Sequence, residues 1–388
     1  MPIPISYNVR NVMQRPVATL TTAIGIGLTV TIFIGALALA AGFQAALLQT
    51  GSADNAVALR KGADSEISSG VSREAADVLR AGPDVAIGPN GRPLVSAELV
   101  VVANKERLGQ PGSSNVTVRG VDPSAVGMRA EVKIVEGRMF TPGTDEVIVG
   151  QRIARRFANC AVSEKIRFQQ RDFTVVGHFN AGGASFESEI WGDAAVLIPA
   201  LDREGFQTVT FRMRDPSQFA EIKKRLEADP RLQVQIQRER DFYAQQSELL
   251  TNLIRFMGVF ITGIMAIGAI FGAMNTMYAA VGSRTREIAM LLVLGFLPHE
   301  VMLSFILESV MLALIGGVIG CLLALPINGI ATSTTNFQSF SELAFAFRVT
   351  PAALIAGLVF AAGMGLVGGI LPARAAARQP LARALRAI

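Results

Sequence analysis

The sequence predicts an α-helical membrane protein with four transmembrane helices, arranged one plus three, and a large extracytoplasmic α+β domain between the first and the second. Three observations carry this. The 388 residues are 51% hydrophobic and 17% charged with a mean hydropathy of +0.41, too apolar for a soluble protein and too charged for a purely membranous one, so the apolarity is segregated. Long apolar runs, each enough to cross a bilayer core of roughly 30 Å, occur at 17–48, 256–281, 301–330 and 350–373. Residues 50–250 hold 26 Lys plus Arg against 27 Asp plus Glu, whereas the remainder holds 10 against 4, so the net charge of +5 lies around the spans. Arg10 and Arg15 precede the first span, Arg284 and Arg286 follow the second, and Arg374, Arg378, Arg383 and Arg386 follow the fourth. The positive-inside rule places these segments in the cytoplasm and residues 50–250 outside. The basic balance follows from topology and gives no reason to expect nucleic acid as a partner.

In chain order, residues 1–50 are a cytoplasmic lead-in and the first span, whose apolar run is far longer than a signal peptide's and stays as an anchor. Gly25, Gly27, Gly35 and Gly42 suit close packing in lipid, although glycine is also simply frequent in spans. Residues 51–250 read as the extracytoplasmic domain, large enough for its own core. Helices are expected at 71–81 and 215–229, the latter opened by Asp215 as N-cap and Pro216 at the first helical position. Short alternating or β-branched runs at 92–103, 115–121, 131–135, 146–149, 165–168, 173–179, 208–213 and 232–236 read as strands. A helix at 238–250 runs into the second span. Residues 251–388 hold three spans, a cytoplasmic helix at 284–295, an external connection at 328–348 and a basic amphipathic tail.

The cytoplasmic helix draws the most attention. Arg284, Arg286 and Glu287 crowd its start, Ile288, Leu291, Leu292 and Leu294 make an apolar stripe, with Ile288, Leu291 and Leu292 on one side at i, i+3 and i+4, and Gly295 suits a C-cap. The same residues would also serve as an ordinary basic loop holding a membrane hairpin. Glu308 stands about two turns inside the third span, as a candidate functional intramembrane carboxylate that moves protons or cations, or as a group bonded to a neighbouring helix or to water. Glu187 and Glu189 lie two apart in a peculiar stretch ending at Trp191; they read as solvated loop charges beside an aromatic anchor rather than as a general acid and base.

No catalytic residues and no metal site are expected. Cys160 and Cys321 lie in different phases, and only His178 and His299 could join them as soft ligands. The sequence contains no G-x-x-x-x-G-K-[ST] loop, no Gly-x-Ser-x-Gly elbow and no His-Glu-x-x-His helix. Any energy is therefore expected from another subunit.

Several stretches together carry a family resemblance. They are Arg10-Asn11 and Arg15 before Thr19-Leu20-Thr21, the run Arg284-Thr285-Arg286-Glu287-Ile288-Ala289 followed by Leu294-Gly295, Glu308, and Leu371-Pro372-Ala373-Arg374-Ala375-Ala376 leading to Pro380 and Leu385. In the external domain they are Val135-Glu136-Gly137-Arg138, Glu146-Val147-Ile148-Val149-Gly150 and Val175-Val176-Gly177. With this order of spans and domain, the chain resembles the permeases of the MacB and FtsX-like ABC transporter superfamily, the type VII or mechanotransmission group. One departure is Val162-Ser163-Glu164, where relatives often carry a Val-Gly-Asp turn.

The resemblance implies a multi-pass protein of the bacterial inner membrane, with a MacB-like periplasmic core at 51–250 and an FtsX-like domain at 251–388. It implies two permeases, as a homodimer or heterodimer, resting on two copies of an ABC ATPase that binds the ATP and Mg; this chain itself would hold no cofactor. Residues 284–295 would be the coupling helix docked in the ATPase. A periplasmic adaptor and membrane lipids are the further partners it implies. The expected role is to turn ATP hydrolysis into movements of the external domain that export or extract a lipid, lipoprotein, peptide or amphiphilic drug. The alternative is a non-transporting transmitter that activates a cell-wall hydrolase.

Overall fold

The structure, a computed structural model, describes residues 10, 11, 16–109 and 111–378; Arg15, Pro380, Arg383, Leu385 and Arg386 lie outside the described residues. The chain divides into two units, one of residues 1–41, 252–330 and 347–388, the other of residues 42–251 and 331–346.

Among the described residues, four helices are long and apolar enough to cross a membrane, Thr19–Leu48, Glu239–Ser283, Pro298–Ile327 and Pro351–Ala377, and the first unit is built on them. Their polar groups are handled locally. Thr29 and Thr31 donate their hydroxyls to the carbonyls of Gly25 and Gly27 at 3.0 and 2.8 Å, which keeps the hydroxyls satisfied where no water reaches. Thr350 caps the fourth span by accepting from the Ala353 amide, with Pro351 at the first position. Small residues set the crossings. A Cβ at Gly320 would stand 2.6 Å from the carbonyl oxygen of Gly27, so the first and third spans touch backbone to backbone. Gly365 faces Ala313 and Ser309 in the same way, and Ser309 donates to the Gly365 carbonyl at 2.7 Å. A Cβ at Gly268 or Gly272 on the second span would meet nothing within 4 Å among the described residues.

The second unit is built on a ten-stranded sheet of order β10-β1-β9-β2-β3-β8-β5-β7-β4, with β6 added on β7. The strands are β1 Asn55–Arg60, β2 Val95–Glu106, β3 Ser113–Val121, β4 Lys133–Gly137, β5 Glu146–Gly150, β6 Lys165–Phe168, β7 Arg171–Asn180, β8 Glu189–Asp193, β9 Thr208–Arg212 and β10 Val234–Arg238. Among the described residues, only β3–β8 and β5–β7 pair in parallel. Two apolar cores share the sheet. One lies under the helices Arg73–Arg80 and Phe219–Ala228 against β1, β9 and β10, and the other gathers Leu99, Val118, Val149, Phe173 and Ile190 with the helix Ala194–Ala200. The connection at 328–348 is more than a linker. It forms a hairpin of β11 Ala331–Asn336 and β12 Ser341–Ala346, fastened by Thr117 Oγ1 donating to Ser341 Oγ at 2.8 Å and by Arg107 and Arg156 on Glu342 at 2.6 and 2.7 Å.

Candidate functional site

The cytoplasmic loop folds as a helix, Thr285–Val293, closed by Gly295 at φ +95°. The Gly295 amide donates to the Leu292 carbonyl and the Phe296 amide to that of Leu291, a Schellman closure in which only glycine is unstrained. Its faces are divided. Ile288 is 1% exposed and packs with Leu292 against Met277, Val281, Val301, Phe305, Ala373 and Ala376. Arg286, Glu287, Met290, Val293 and Leu294 are exposed, Leu294 at 76%, and Leu291 is half-buried. The expectation that Ile288, Leu291, Leu292 and Leu294 form one outward apolar stripe is thus corrected for Ile288 and Leu292, while Leu294 does face outward. The chain's own second, third and fourth spans need an apolar cover at that end and take Ile288 and Leu292. The outward stripe falls on Met290, Val293 and Leu294, with Arg286 and Glu287 one turn before.

Arg284 heads this helix and is buried. Its Nη1 donates to both oxygens of Glu308, at 3.1 and 3.0 Å, and its Nη2 to the main-chain carbonyl of Asn11 at 3.2 Å. One guanidinium therefore holds the N-terminal segment, the loop helix and the third span together. Within a span a carboxylate is expensive; the pairing with Arg284 offsets much of that cost, and removing either partner forfeits that offset.

The external unit carries a second buried assembly of charge that sequence reasoning missed. Arg119 on β3 donates to Glu66 at 2.7 Å, Glu98 on β2 at 2.8 Å and Glu189 on β8 at 2.7 Å. Arg129 joins Glu98 at 2.8 Å to Glu239, at the start of the 45-residue helix Glu239–Ser283, at 2.9 Å. Trp191 donates its indole N–H to Glu189 at 2.7 Å, and Asn55 its amide to Glu239 at 2.8 Å. All six charged residues are buried. Burial pushes the Glu98 carboxyl up, and Arg129 with Arg119 outweighs it and holds it below the usual carboxylate range. Glu66 shares Arg119 with two other carboxylates, and there burial prevails and leaves it above that range. The signal in the sequence was a charge in the middle of an apolar strand, Glu98 in β2 and Arg119 in β3.

The reading of Glu187 and Glu189 as solvated loop charges is also corrected. A 3-10 turn, Ser185–Ser188, tucks Glu187 inside, where it accepts from the amides of Ala181 and Gly183 and pairs with Arg152 at 2.9 Å. Backbone donors at the turn and Arg119 across the sheet supply what water would have supplied. No cluster of metal ligands occurs among the described residues.

Family comparison agrees with this anatomy. The MacB-like periplasmic core domain matches residues 19–229, and the FtsX-like permease C-terminal domain matches 259–381. The macrolide export ATP-binding/permease protein MacB of Bdellovibrio bacteriovorus is 24% identical over 70% of this chain and 44% of its own length. The pyoverdine export ATP-binding/permease protein PvdT of Pseudomonas putida is 28% identical over 65% of this chain and 40% of its own. The chain thus spans less than half the length of these relatives. The crystal structure of the periplasmic region of MacB from Actinobacillus actinomycetemcomitans covers 52% of this chain and 95% of its own, at 12% identity and a TM-score of 0.38. The residues matched by the two family models account for the external domain and the three following spans, and the chain belongs to the MacB/FtsX-like family of ABC transporter permeases.

Proposed function

We propose that this permease carries the stroke of a separate ABC ATPase, bound in two copies beneath a permease dimer, to its extracytoplasmic domain. The observation that carries the reading is the loop helix, clasped by Arg284 to Glu308 and Asn11 while Met290, Val293 and Leu294 face outward. A short helix with an exposed apolar stripe, rigidly tied at its base, suits docking in a partner's groove and passing on the movement. Within the external domain, Glu239 ties the first turn of the 45-residue helix to the centre of the sheet through Arg129, which suits transmission along that helix. Relatives named for macrolide and pyoverdine export favour export of an amphiphilic cargo over signalling to a hydrolase. Its ATP and Mg would sit in the ATPase, since this sequence has no phosphate-cradling loop.

The test is to purify the chain alone and with its cognate ATPase in lipid. Hydrolysis is expected only with the ATPase present, and the cargo should be found among the molecules that copurify. ATP hydrolysis by the chain alone, or failure of the two proteins to associate, overturns the reading.

A further inference from the structure

The helix Glu239–Ser283 is 45 residues long, about 67 Å at 1.5 Å per residue, against roughly 30 Å of hydrocarbon core. Its back is spent on the chain itself. Thr262, Ala266, Ala273 and Met277 are buried, and a Cβ at Gly258 would stand 2.5 Å from Ala36 Cβ. The opposite face carries Leu253, Phe256, Phe260, Ile264, Ile267 and Phe271, all between 45% and 65% exposed. Their steps of three, four and four repeat every eleven residues, and Asn275 and Tyr278 continue the series. Lipid alone does not suit this stripe at either end. Leu253 and Phe256 flank the exposed Arg255, so apolar side chains stand there at headgroup level or above it, where lipid tails do not cover them. Asn275 stands about 9 Å inside the apolar run that ends at Val281, exposed and with no hydrogen bond to its side chain among the described residues. An amide in hydrocarbon without a partner is costly. The stripe is thus apolar where water is and polar where lipid is, and a protein surface fits it better than either solvent.

We propose that the same stripe of a second copy of this chain covers it, with the two Asn275 amides hydrogen-bonded to each other inside the membrane. The inference rests on the permease dimer proposed for the transporter and names the surface that makes it. Self-complementarity selects the occupant. Two copies inserted with one orientation are related by a two-fold axis along the membrane normal, which sets each residue of a helix lying on that axis against its own counterpart. Phenylalanine and isoleucine then meet their like, and each Asn275 offers the other a donor and an acceptor. An eleven-residue repeat keeps the two helices nearly straight, with a slight right-handed twist, so the contact runs the length of the span. At roughly 200 Å² for a side chain of this size, the six apolar residues and Tyr278 offer about 750 Å² per copy, close to the roughly 800 Å² per partner of a stable interface.

The experiment oxidises single-cysteine variants of the full chain in native membranes containing the cognate ATPase, with Cys321→Ala as background, and reads disulfide-linked dimers on gels. Cys160 is buried and stays in place. Phe260→Cys, Ile264→Cys, Ile267→Cys and Phe271→Cys should cross-link about tenfold faster than two exposed controls, because a disulfide needs the two Cα atoms within about 7 Å. The controls are Ile261→Cys, off the stripe on the same helix, and Val359→Cys on the fourth span. Asn275→Leu should weaken the dimer about five- to thirtyfold, the worth of an interhelical polar contact in lipid, read by dilution in detergent with native mass spectrometry. Asn275→Gln keeps the amide and should retain most of the affinity. Equal cross-linking at stripe and control positions overturns the proposal. Cross-linking at Val359→Cys and not along the stripe overturns it too and leaves the dimer standing on another face. No cross-link at any position, with one copy of the chain per assembly by mass, overturns the dimer as well. A wild-type dimer in Asn275→Leu also sinks the proposal, since an Asn275 that faced lipid would lose nothing on becoming leucine.

Discussion

Arg284 Nη1 lies 3.0 Å from Glu308 Oε2, and both side chains are buried at the cytoplasmic end of the spans. The pair joins the loop helix to the third span, and its partners are 24 residues apart in sequence.

Arg284→Gln should take from the buried Glu308 carboxylate the guanidinium 3.0 Å away and destabilise the membrane unit by about 3 to 5 kcal/mol. Glu308→Gln should cost a similar amount by stranding the guanidinium, whereas Arg284→Met with Glu308→Leu together should recover most of the stability. Thermal unfolding in detergent measures all three. Equal stability of the single variants and the wild type would remove the clasp from the account.

Leu294→Asp, at the most exposed of the three outward apolar residues, should leave the chain folded and weaken pull-down of the ATPase. Burying one leucine in a partner is worth roughly 1.5 to 3 kcal/mol, so association should fall ten- to a hundredfold. Ile288→Asp should act differently, by unfolding the cytoplasmic end of the spans in which Ile288 is packed. Wild-type association and activity for Leu294→Asp would make this helix a plain linker.

Cysteine labelling checks the orientation. Ser217 is exposed beside the helix Phe219–Ala228, and Ser217→Cys should react with a membrane-impermeant maleimide in whole cells. The native Cys160 is buried, and burial pushes its thiol up to about 11, so it should stay silent. Protection of the introduced cysteine until lysis would contradict an extracytoplasmic position.

The external charge assembly gives a pH dependence of two signs. Glu98 is held below its ordinary value, so its stabilisation is present above that value and is lost as the pH falls through the folded one. Glu66 is held above its ordinary value, so the fold favours its protonated form, and that contribution is lost as the pH rises through the raised value. Glu66→Gln should therefore cost under about 1.5 kcal/mol and flatten the loss of stability on raising the pH. Glu98→Gln should cost about 3 to 5 kcal/mol by breaking the bridge between Arg119 and Arg129. Trp191 is the single tryptophan and bonds to Glu189 inside the assembly, so its fluorescence follows both variants. Similar costs for the two would refute the distinction.

Ser163 has φ +75°, a left-handed conformation that strains any side chain but glycine's bare backbone. Ser163→Gly should raise the stability of the external unit by about 1 kcal/mol, read from the same fluorescence in urea. A destabilised variant would mean that the hydroxyl is needed there.

The amino-acid sequence by itself determined the features that depend on neighbours along the chain. A run of some twenty apolar residues crosses a bilayer whatever surrounds it, so four spans and their orientation could be read directly. The loop helix was equally legible, because the αL position of Gly295 and the amides that close on it lie within one turn. Asp215, accepting from the Ser217 amide at 2.9 Å, opens its helix for the same local reason. The tertiary structure alone decided which face of a helix is spent on the chain's own core, and so Ile288 and Leu292 went inward while Val293 and Leu294 stayed outside. It alone decided the partners of buried charge, because Arg284 with Glu308 and Arg119 with Glu66, Glu98 and Glu189 come together only when distant elements pack. A carboxylate alone in a sequence is the same residue whether water, a backbone amide or a guanidinium solvates it, and only the fold chooses among them.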